Sequence, residues 1–345
     1  MKTFLTGLLA FTAFSTPAFS QQAPAPAAPA ATAAAPALPD ASPAMWIVRD
    51  EDTIIYLLGT FHMLDGRRWF KDEVRTAFEA SSELVLEVLL PEDPAQQQAA
   101  MGPLVMQYGV DAQGRTLSSR LTAAENETLN RLLAPLGVPP GAFDRFKPWF
   151  VSLTLAQIAA QGLNLDPANS PEMVLRRAAR ERGMAESELE TADFQIRMLD
   201  SVPDESQLRA LKEMLADPDA AVRTLRPMLD AWSRGDENGL AAVTMQETGH
   251  DDPAFYRIIF TDRNANWAQW IRTRLERPGT VFMAVGAGHL VGRGSVQEQL
   301  TRLNIPSQRV ATAATGATAA PAATGSTHAY PPCRSRTQDR CRQRR

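Results

Sequence analysis

The chain carries, at residues 53–62, the stretch TIIYLLGTFH, in which a β-branched and apolar run ends at a glycine and a histidine follows. Such a run is typical of a buried strand, and the glycine marks its end. Near the other end of the chain, residues 280–289 repeat the pattern as TVFMAVGAGH. Each stretch therefore predicts a strand followed by Gly-x-x-His.

The rest of the chain builds outward from these two strands. Residues 71–82 predict a helix and residues 84–88 a second short strand, which gives a strand–helix–strand unit with parallel strands. A capping box at residues 122–125 opens a helical region. Further helices are predicted over residues 149–163, 171–183, 191–201, 204–216, 219–234, 253–276 and 295–303. The sequence thus predicts an α/β fold: a central mixed sheet built from both ends of the domain, and a large helical insertion, residues 119–250, that caps the edge where the histidines emerge.

Composition divides the chain into four parts. Residues 1–20 have a charged start, an apolar middle and small residues before Ser20, which predicts a signal peptide cleaved after Ser20 and a periplasmic or secreted protein. The apolar run is shorter than the roughly 20 residues that span a bilayer, so we expect no stable membrane span after cleavage. Residues 21–44 are an Ala/Pro-rich linker, residues 45–310 the folded domain, and residues 311–345 an Ala/Thr-rich and then basic tail predicted to be disordered.

Charge and cysteine content exclude several function classes. The net charge is −4, but the tail holds six arginines and one aspartate; without it the chain has 29 basic and 38 acidic residues. An acidic body argues against a nucleic-acid partner. Both cysteines, Cys333 and Cys341, lie in the tail, which excludes a disulfide or a cysteine-ligated metal in the domain.

The two histidines of the repeated pattern, His62 and His289, are the first candidates for chemistry. Ligands of α/β sheets bind at the carboxyl ends of strands, so both imidazoles are expected on that edge, with glycines allowing a tight exit from each strand. Glu87 lies at the end of the apolar run 84–88, where a carboxylate is costly unless it is paired or binds a metal. Together the three predict a ligand set for a divalent ion.

Simpler interpretations stay open for each residue. Either histidine can be a hydrogen-bonding core residue, and Glu87 can be the salt-bridge partner of Arg263. Asp65 is interpreted as a turn former rather than a fourth ligand, and neither His250 nor His328 is assigned a role.

Other catalytic classes lack their motifs. Glycines 286, 288 and 292 suggest a dinucleotide loop, but no further strand with an acidic residue follows. His-Glu-x-x-His, a phosphate loop and a Gly-x-Ser-x-Gly elbow are absent from the sequence.

Six stretches, in order, resemble the TraB/GumN family, to which the Tiki membrane proteases are related. They are residues 56–62, 84–88, 143–149, 189–192, 262–267 and 285–292. The resemblance implies a divalent-metal-dependent protease in which His62, Glu87 and His289 hold the metal ion (Mn, Co or Zn) or its water. It also implies that Arg263 faces a peptide or protein substrate, where a guanidinium can stabilise an oxyanion.

The chain departs from the family pattern at residues 170–175, SPEMVL, where many bacterial members have a Gly-Val-Asp-x-His-Leu-like stretch. Here Glu172 alone can replace the acid. We therefore expect a metal-dependent hydrolase of peptide or amide bonds. The alternatives are a non-catalytic periplasmic protein that binds a metal ion or haem, and an accessory factor in exopolysaccharide production.

Overall fold

A mixed sheet of six strands lies at the centre of the computed structural model, which describes residues 38–137, 139–248 and 252–311. The strands are β1 (Met45–Arg49), β2 (Thr53–Thr60), β3 (Glu83–Leu86), β4 (Ala185–Glu188), β5 (Gly279–Gly286) and β6 (Ser307–Arg309). Their order is β4-β3-β5-β2-β1-β6. β4, β3, β5 and β2 are mutually parallel, whereas β1 runs antiparallel to both of its neighbours. The predicted α/β class with a mixed sheet is confirmed.

The register of the central strands brings the two histidine signatures to the same level. Thr60 at the end of β2 lies opposite Gly286 at the end of β5, and Leu86 at the end of β3 lies opposite Ala284. β2 and β3 are parallel, as predicted, but β5 lies between them. The residues that follow these three strands therefore leave the sheet side by side at its carboxyl edge.

Helices cover the sheet and its carboxyl edge. They are α1 (Asp72–Glu79), α2 (Pro94–Tyr108), α3 (Ala123–Leu133), α4 (Pro148–Gln161), α5 (Pro171–Glu181), α6 (Ala192–Asp200), α7 (Asp204–Ala216), α8 (Ala220–Ser233), α9 (Glu237–Thr248), α10 (Pro253–Tyr256), α11 (Asp262–Arg274) and α12 (Val296–Arg302). Thr122 and Glu125 form the predicted capping box at the start of α3. The single helix predicted over 253–276 is instead interrupted by a π-helical turn, Arg257–Thr261, between α10 and α11.

The insertion contributes more than helices. Its β4 pairs with β3 as a sheet edge, although the sequence AESE has no apolar residue larger than alanine and gives no strand signal. α8 lies over the carboxyl edge, where the Trp232 indole N–H donates to the Gly59 carbonyl oxygen at 2.8 Å. Met228 and Leu240, from α8 and α9, line a small cavity together with the two signature histidines. The insertion thus covers the histidine edge.

Several predictions fall on residues that the structure does not describe. These are the signal peptide, the linker up to residue 37, the tail beyond residue 311, His250 and His328. Ala41, further along the predicted linker, is fully buried, and its N–H donates to the Arg68 carbonyl oxygen at 2.7 Å. None of the described helices has the length and apolar character needed to cross a membrane.

Candidate functional site

The structure gathers the four predicted site residues into one cluster at the carboxyl edge of the sheet. His62 follows β2, Glu87 follows β3, and His289 lies in the short 3-10 turn Ala287–Leu290 after β5. Arg263 reaches the same place from the first turn of α11.

Glu87 connects the members of the cluster. Its Oε2 accepts a hydrogen bond from Arg263 Nη2 at 2.8 Å, and its Oε1 accepts one from the Gly286 N–H at 2.6 Å. Burial alone would raise the pKa of this carboxyl group, but the charge of Arg263, together with the two histidines and the Gly286 hydrogen bond, outweighs burial and lowers the pKa to about 2. Glu87 is therefore a carboxylate at neutral pH, and the salt bridge with Arg263 that the sequence left as an alternative is present.

Glu190 holds Arg263 from the other side and was not among the predicted site residues. Arg263 Nε and Nη2 donate to Glu190 Oε1 and Oε2 at 2.8 and 2.7 Å, a bidentate pair. The Trp267 indole N–H also donates to Glu190, at 2.9 Å, and the Arg263 guanidinium lies over the Trp267 ring. The only signal for Glu190 in the sequence was its place in one of the six family-like stretches.

His289 is a neutral, fully engaged histidine. Asn264 Nδ2 donates to the Gly294 carbonyl oxygen at 2.8 Å, so its Oδ1 faces His289 Nδ1 at 2.6 Å and accepts the ring proton. His289 Nε2 then accepts from Arg263 Nη1 at 3.0 Å. Burial, together with the positive charge of Arg263, lowers the pKa of His289 well below its usual value.

The π-helical turn before α11 aims Arg263 at the cluster. Within it, the carbonyl oxygen of Ile259 accepts from Arg263 Nη1 at 3.2 Å. Single π turns inside helices occur frequently at functional sites. With this bond, all five N–H groups of Arg263 have partners inside the protein, and its side chain is 4% exposed. In this arrangement Arg263 has no N–H left for a substrate, so its predicted role at an oxyanion stays a prediction.

His62 has a different environment. Its Nδ1 lies 2.6 Å from Glu172 Oε1, which also accepts the Thr60 hydroxyl at 2.5 Å. Burial lowers the pKa of His62, but the charge and hydrogen bond of Glu172 and the charge of Glu87 outweigh it, so the net shift is upward. Among the described residues, His62 Nε2 makes no hydrogen bond, and the side chain is 18% exposed.

Glu172 is the acid that the sequence proposed as a replacement in the altered stretch 170–175. It lies in the first turn of α5, where the positive end of the helix dipole favours a carboxylate, and Ser170 caps that helix. Its pKa is lowered: the His62 charge and the two hydrogen bonds outweigh the effect of burial. The departure from the family pattern thus supplies a carboxylate partner for His62.

Close approach explains the glycines of the second signature. A Cβ at Gly286 would lie 3.0 Å from His62 Nε2 and 3.1 Å from Glu87 Oε1, and one at Gly288 would lie 3.1 Å from the Phe260 ring. The φ angle of Gly286 is −50°, which any residue adopts. The expected tight exit from the strand therefore does not explain why residue 286 is a glycine. A glycine at this position leaves room for the His62 and Glu87 side chains.

The donor atoms only partly suit the predicted metal ion. His62 Nε2 and Glu87 Oε1 flank the space beside Gly286, and Glu172 orients His62 as a carboxylate orients many metal-binding histidines. His289 does not fit, because both of its ring nitrogens are in hydrogen bonds and Nε2 faces a guanidinium. Within the described ranges, no three His, Cys, Asp or Glu side chains are arranged to hold a metal ion. The three-ligand centre does not fit this arrangement.

A pocket of about 270 Å³ opens beside His62. Its walls come from the segment after β3, the start of α2, the turn before α5 and the first turns of α5. Asp65, the rejected fourth ligand, is not in this wall; its carboxylate accepts hydrogen bonds from the backbone and guanidinium of Arg67. Of the two signature histidines, His62 thus lines this pocket and has a ring nitrogen without a hydrogen-bond partner among the described residues.

Comparison with known proteins assigns the chain to a family and finds two related proteins. The sequence model of the TraB/PrgY/gumN family matches residues 44–308. The chain is 27% identical over 184 residues to the uncharacterized protein YbaP of Escherichia coli (strain K12), which covers 53% of this chain and 67% of that protein. YbaP of Shigella flexneri matches to the same extent. No solved structure matches the chain.

Proposed function

The chain belongs to the TraB/PrgY/gumN family, and from that premise and the geometry of its site we propose that it is an exported hydrolase of peptide or related amide bonds. One observation carries the proposal. His62, oriented by Glu172, presents an unengaged ring nitrogen beside a pocket and next to a buried, ionised Glu87. A histidine held by a carboxylate at one nitrogen and free at the other is the arrangement of a general base.

The proposed reaction uses these groups in sequence. His62 Nδ1–H keeps its proton and donates a hydrogen bond to Glu172. His62 Nε2 takes a proton from water as the water oxygen bonds to the substrate carbonyl carbon. His62 then returns the proton to the nitrogen of the leaving amine as the C–N bond breaks. Arg263, fixed by Glu190, holds Glu87 in place beside His62.

Cleavage of a library of capped 14-residue peptides, followed by mass spectrometry, tests the proposal with the full chain. We expect wild-type cleavage, a loss of about 10²- to 10⁴-fold in His62→Gln, and a smaller loss in Glu172→Gln. Glu181→Gln, an exposed glutamate at the other end of α5, is the matched control and keeps the wild-type rate. Wild-type rates in His62→Gln, or no cleavage by the wild type with or without Mn²⁺, Co²⁺ or Zn²⁺, would overturn the proposal.

Whether the site binds a divalent ion, and through which residues, is tested separately from peptide cleavage. The resemblance implies Mn, Co or Zn on His62, Glu87 and His289, whereas in the geometry only His62 Nε2 and Glu87 Oε1, of these three residues, lie beside the space next to Gly286, and Glu87 Oε1 already accepts the Gly286 N–H. Metal content after dialysis into each ion distinguishes the two. Loss of stoichiometric metal in both His62→Ala and His289→Ala would support the three-ligand site; loss in His62→Ala alone would support the two donors. A Soret band on adding haem, lost in His62→Ala, would instead favour the binding-protein alternative.

Export is also part of the proposal and rests on the sequence of residues 1–20. Intact-mass analysis of the protein from the periplasm or medium tests it. A mature chain that begins at Gln21 is the expected result, and a cytoplasmic chain that keeps Met1 would contradict it.

A further inference from the structure

The pocket beside His62 has apolar walls at the place where a substrate would meet that histidine. Its apolar residues come from four separate segments: Leu86, Val88, Leu90 and Pro91 in and after β3, Pro94 in α2, Pro167 and Ala168 before α5, and Met173 in α5. Because His62 and Glu87 also line the pocket, a group bound there lies next to the proposed general base.

All charged residues of the wall except Asp166 are paired with charged or polar groups of the protein; Asp166 is exposed and its side chain accepts the Ala168 N–H at 2.8 Å. Arg176 Nε donates to Glu186 at 3.0 Å and its Nη1 to the Leu90 carbonyl oxygen at 2.5 Å. Glu92 accepts from Arg180 at 2.6 Å. Glu172 and Glu87 are held by His62 and Arg263 as described above. A charged ligand would therefore find no buried unpaired counter-charge in the wall, only the exposed carboxylate of Asp166, whereas an apolar ligand would remove the remaining apolar surface from water.

Two wall carboxylates each retain an oxygen that accepts no hydrogen bond in the described structure. These oxygens are Glu92 Oε1 and Glu172 Oε2, and both are shielded from solvent. Since a water-sized probe does not reach them, they do not face a ligand in the pocket as it stands. A ligand with a cationic group is nevertheless the competing possibility that an experiment must separate.

We infer that this pocket receives one large apolar side chain, such as that of leucine, methionine or phenylalanine, of the peptide that His62 acts on. The volume of about 270 Å³ lies just below the usual range of small-molecule pockets, so it suits one side chain rather than an extended segment. That the bound side chain belongs to a substrate rests on the proposed function. The preference for an apolar group rests on the wall alone.

Equilibrium binding of single capped residues tests the preference without any bond cleavage. The probes are N-acetyl-leucinamide, N-acetyl-glycinamide and N-acetyl-lysinamide, added to the full chain with ¹³C-labelled methionine methyl groups. The Met173 methyl signal is assigned by its disappearance in Met173→Ala. We expect the leucine probe to shift this signal with a Kd at least about tenfold lower than the other two, since even one methylene in an apolar pocket is worth about tenfold or more.

A filling substitution adds a matched control. Ala168 lines the pocket and is exposed, so Ala168→Phe is expected to fold and to weaken binding of the leucine probe at least about tenfold. Ala124→Phe, on an exposed alanine of α3 away from this pocket, is expected to bind like the wild type.

The outcomes separate this inference from the hydrolase proposal. Binding of the leucine probe that Ala168→Phe weakens supports the apolar pocket even when no peptide is cleaved. Equal binding of leucine and glycine probes, or no effect of Ala168→Phe, overturns it even when peptides are cleaved. Tighter binding of the lysine probe would overturn it in favour of a site for cationic groups.

Discussion

His62 and His289 share a sequence pattern and a sheet edge but have opposite electrostatic environments. His62 Nδ1 is paired with a carboxylate, Glu172, whereas Nε2 makes no hydrogen bond in the described structure, and His62 lines a pocket. His289 is paired with a guanidinium, Arg263, and an amide, Asn264, and its side chain is 5% exposed. The first pairing stabilises an imidazolium ion, and the second requires a neutral ring.

The difference comes from the helices that meet each strand end. α5 presents a carboxylate from its first turn, where the helix dipole also favours a negative charge. α11 follows a π-helical turn and presents Arg263 and Asn264 as consecutive residues. A motif therefore specifies where an imidazole leaves the sheet, while elements distant in sequence determine what the imidazole does. We expect the His62 half of the site to carry reactivity and the His289 half to carry stability.

The largest expected effect lies in the His289 half. Arg263→Met leaves the carboxylates of Glu87 and Glu190 buried without their cation, and such uncompensated charges cost about 3–5 kcal/mol. Urea unfolding of wild type and variant measures the change in the free energy of unfolding. Arg257→Met, one turn away, removes an ion pair with Asp262 whose partners are 63% and 52% exposed, and is expected to cost at most about 1 kcal/mol. Equal costs for the two variants would contradict the assignment of stability to this cluster.

The next effect compares the two histidines directly. His289→Ala leaves Arg263 Nη1 and Asn264 Oδ1 short of a buried partner, and each such loss costs about 1–3 kcal/mol. His62→Ala leaves Glu172 with the Thr60 hydroxyl and partial access to solvent, so we expect a cost of about 1 kcal/mol or less.

Thermal and urea unfolding of both variants check this order, with peptide cleavage measured on the same samples. Full stability with lost cleavage in His62→Ala, beside lost stability in His289→Ala, sharpens the comparison. Similar unfolding free energies would show that the two signatures are equivalent after all.

Much of this site can be predicted from the sequence, and there is a physical reason why the rest cannot. Apolar runs predict the strands β2, β3 and β5, and the position of a polar residue after each run predicts that His62, Glu87 and His289 meet at one edge. That inference needs only local patterns and the general rule for parallel sheets. The same holds for the capping box of α3.

The partners of these residues are set by contacts between distant parts of the chain. Glu190 is 73 residues from Arg263, and Glu172 is 110 residues from His62, so no periodicity relates them. The π-helical turn is also invisible to a pattern based on 3.6 residues per turn. The short polar strand β4 shows the same limit, because an edge strand with partly exposed faces needs no apolar alternation. The sequence therefore predicts which residues meet, but not which of them are left free to react.

The smallest expected effect is a difference in pKa between His62 and His289, and it tests their opposite electrostatic environments directly. NMR titration of the ring protons is expected to show the pKa of His62 above 6.5 and that of His289 well below it. With four histidines in the chain, the spectra of His62→Ala and His289→Ala assign both signals. Glu172→Gln removes the attraction that raises the pKa of His62, so its pKa is expected to fall while that of His289 stays in place.

These shifts make opposite contributions to stability. The raised pKa of His62 stabilises the fold below pH 6.5, and this contribution is lost as the pH rises through the folded-state pKa. The lowered pKa of His289 acts in reverse: below pH 6.5 the unfolded chain binds a proton that the folded chain does not, so stability falls. Each pKa unit corresponds to about 1.4 kcal/mol. In wild type the unfolding free energy should therefore gain a contribution from His62 as the pH falls from its folded-state pKa to 6.5, and Glu172→Gln should lose this gain because its His62 no longer has a raised pKa. A variant curve parallel to that of the wild type would mean that Glu172 does not set the charge of His62.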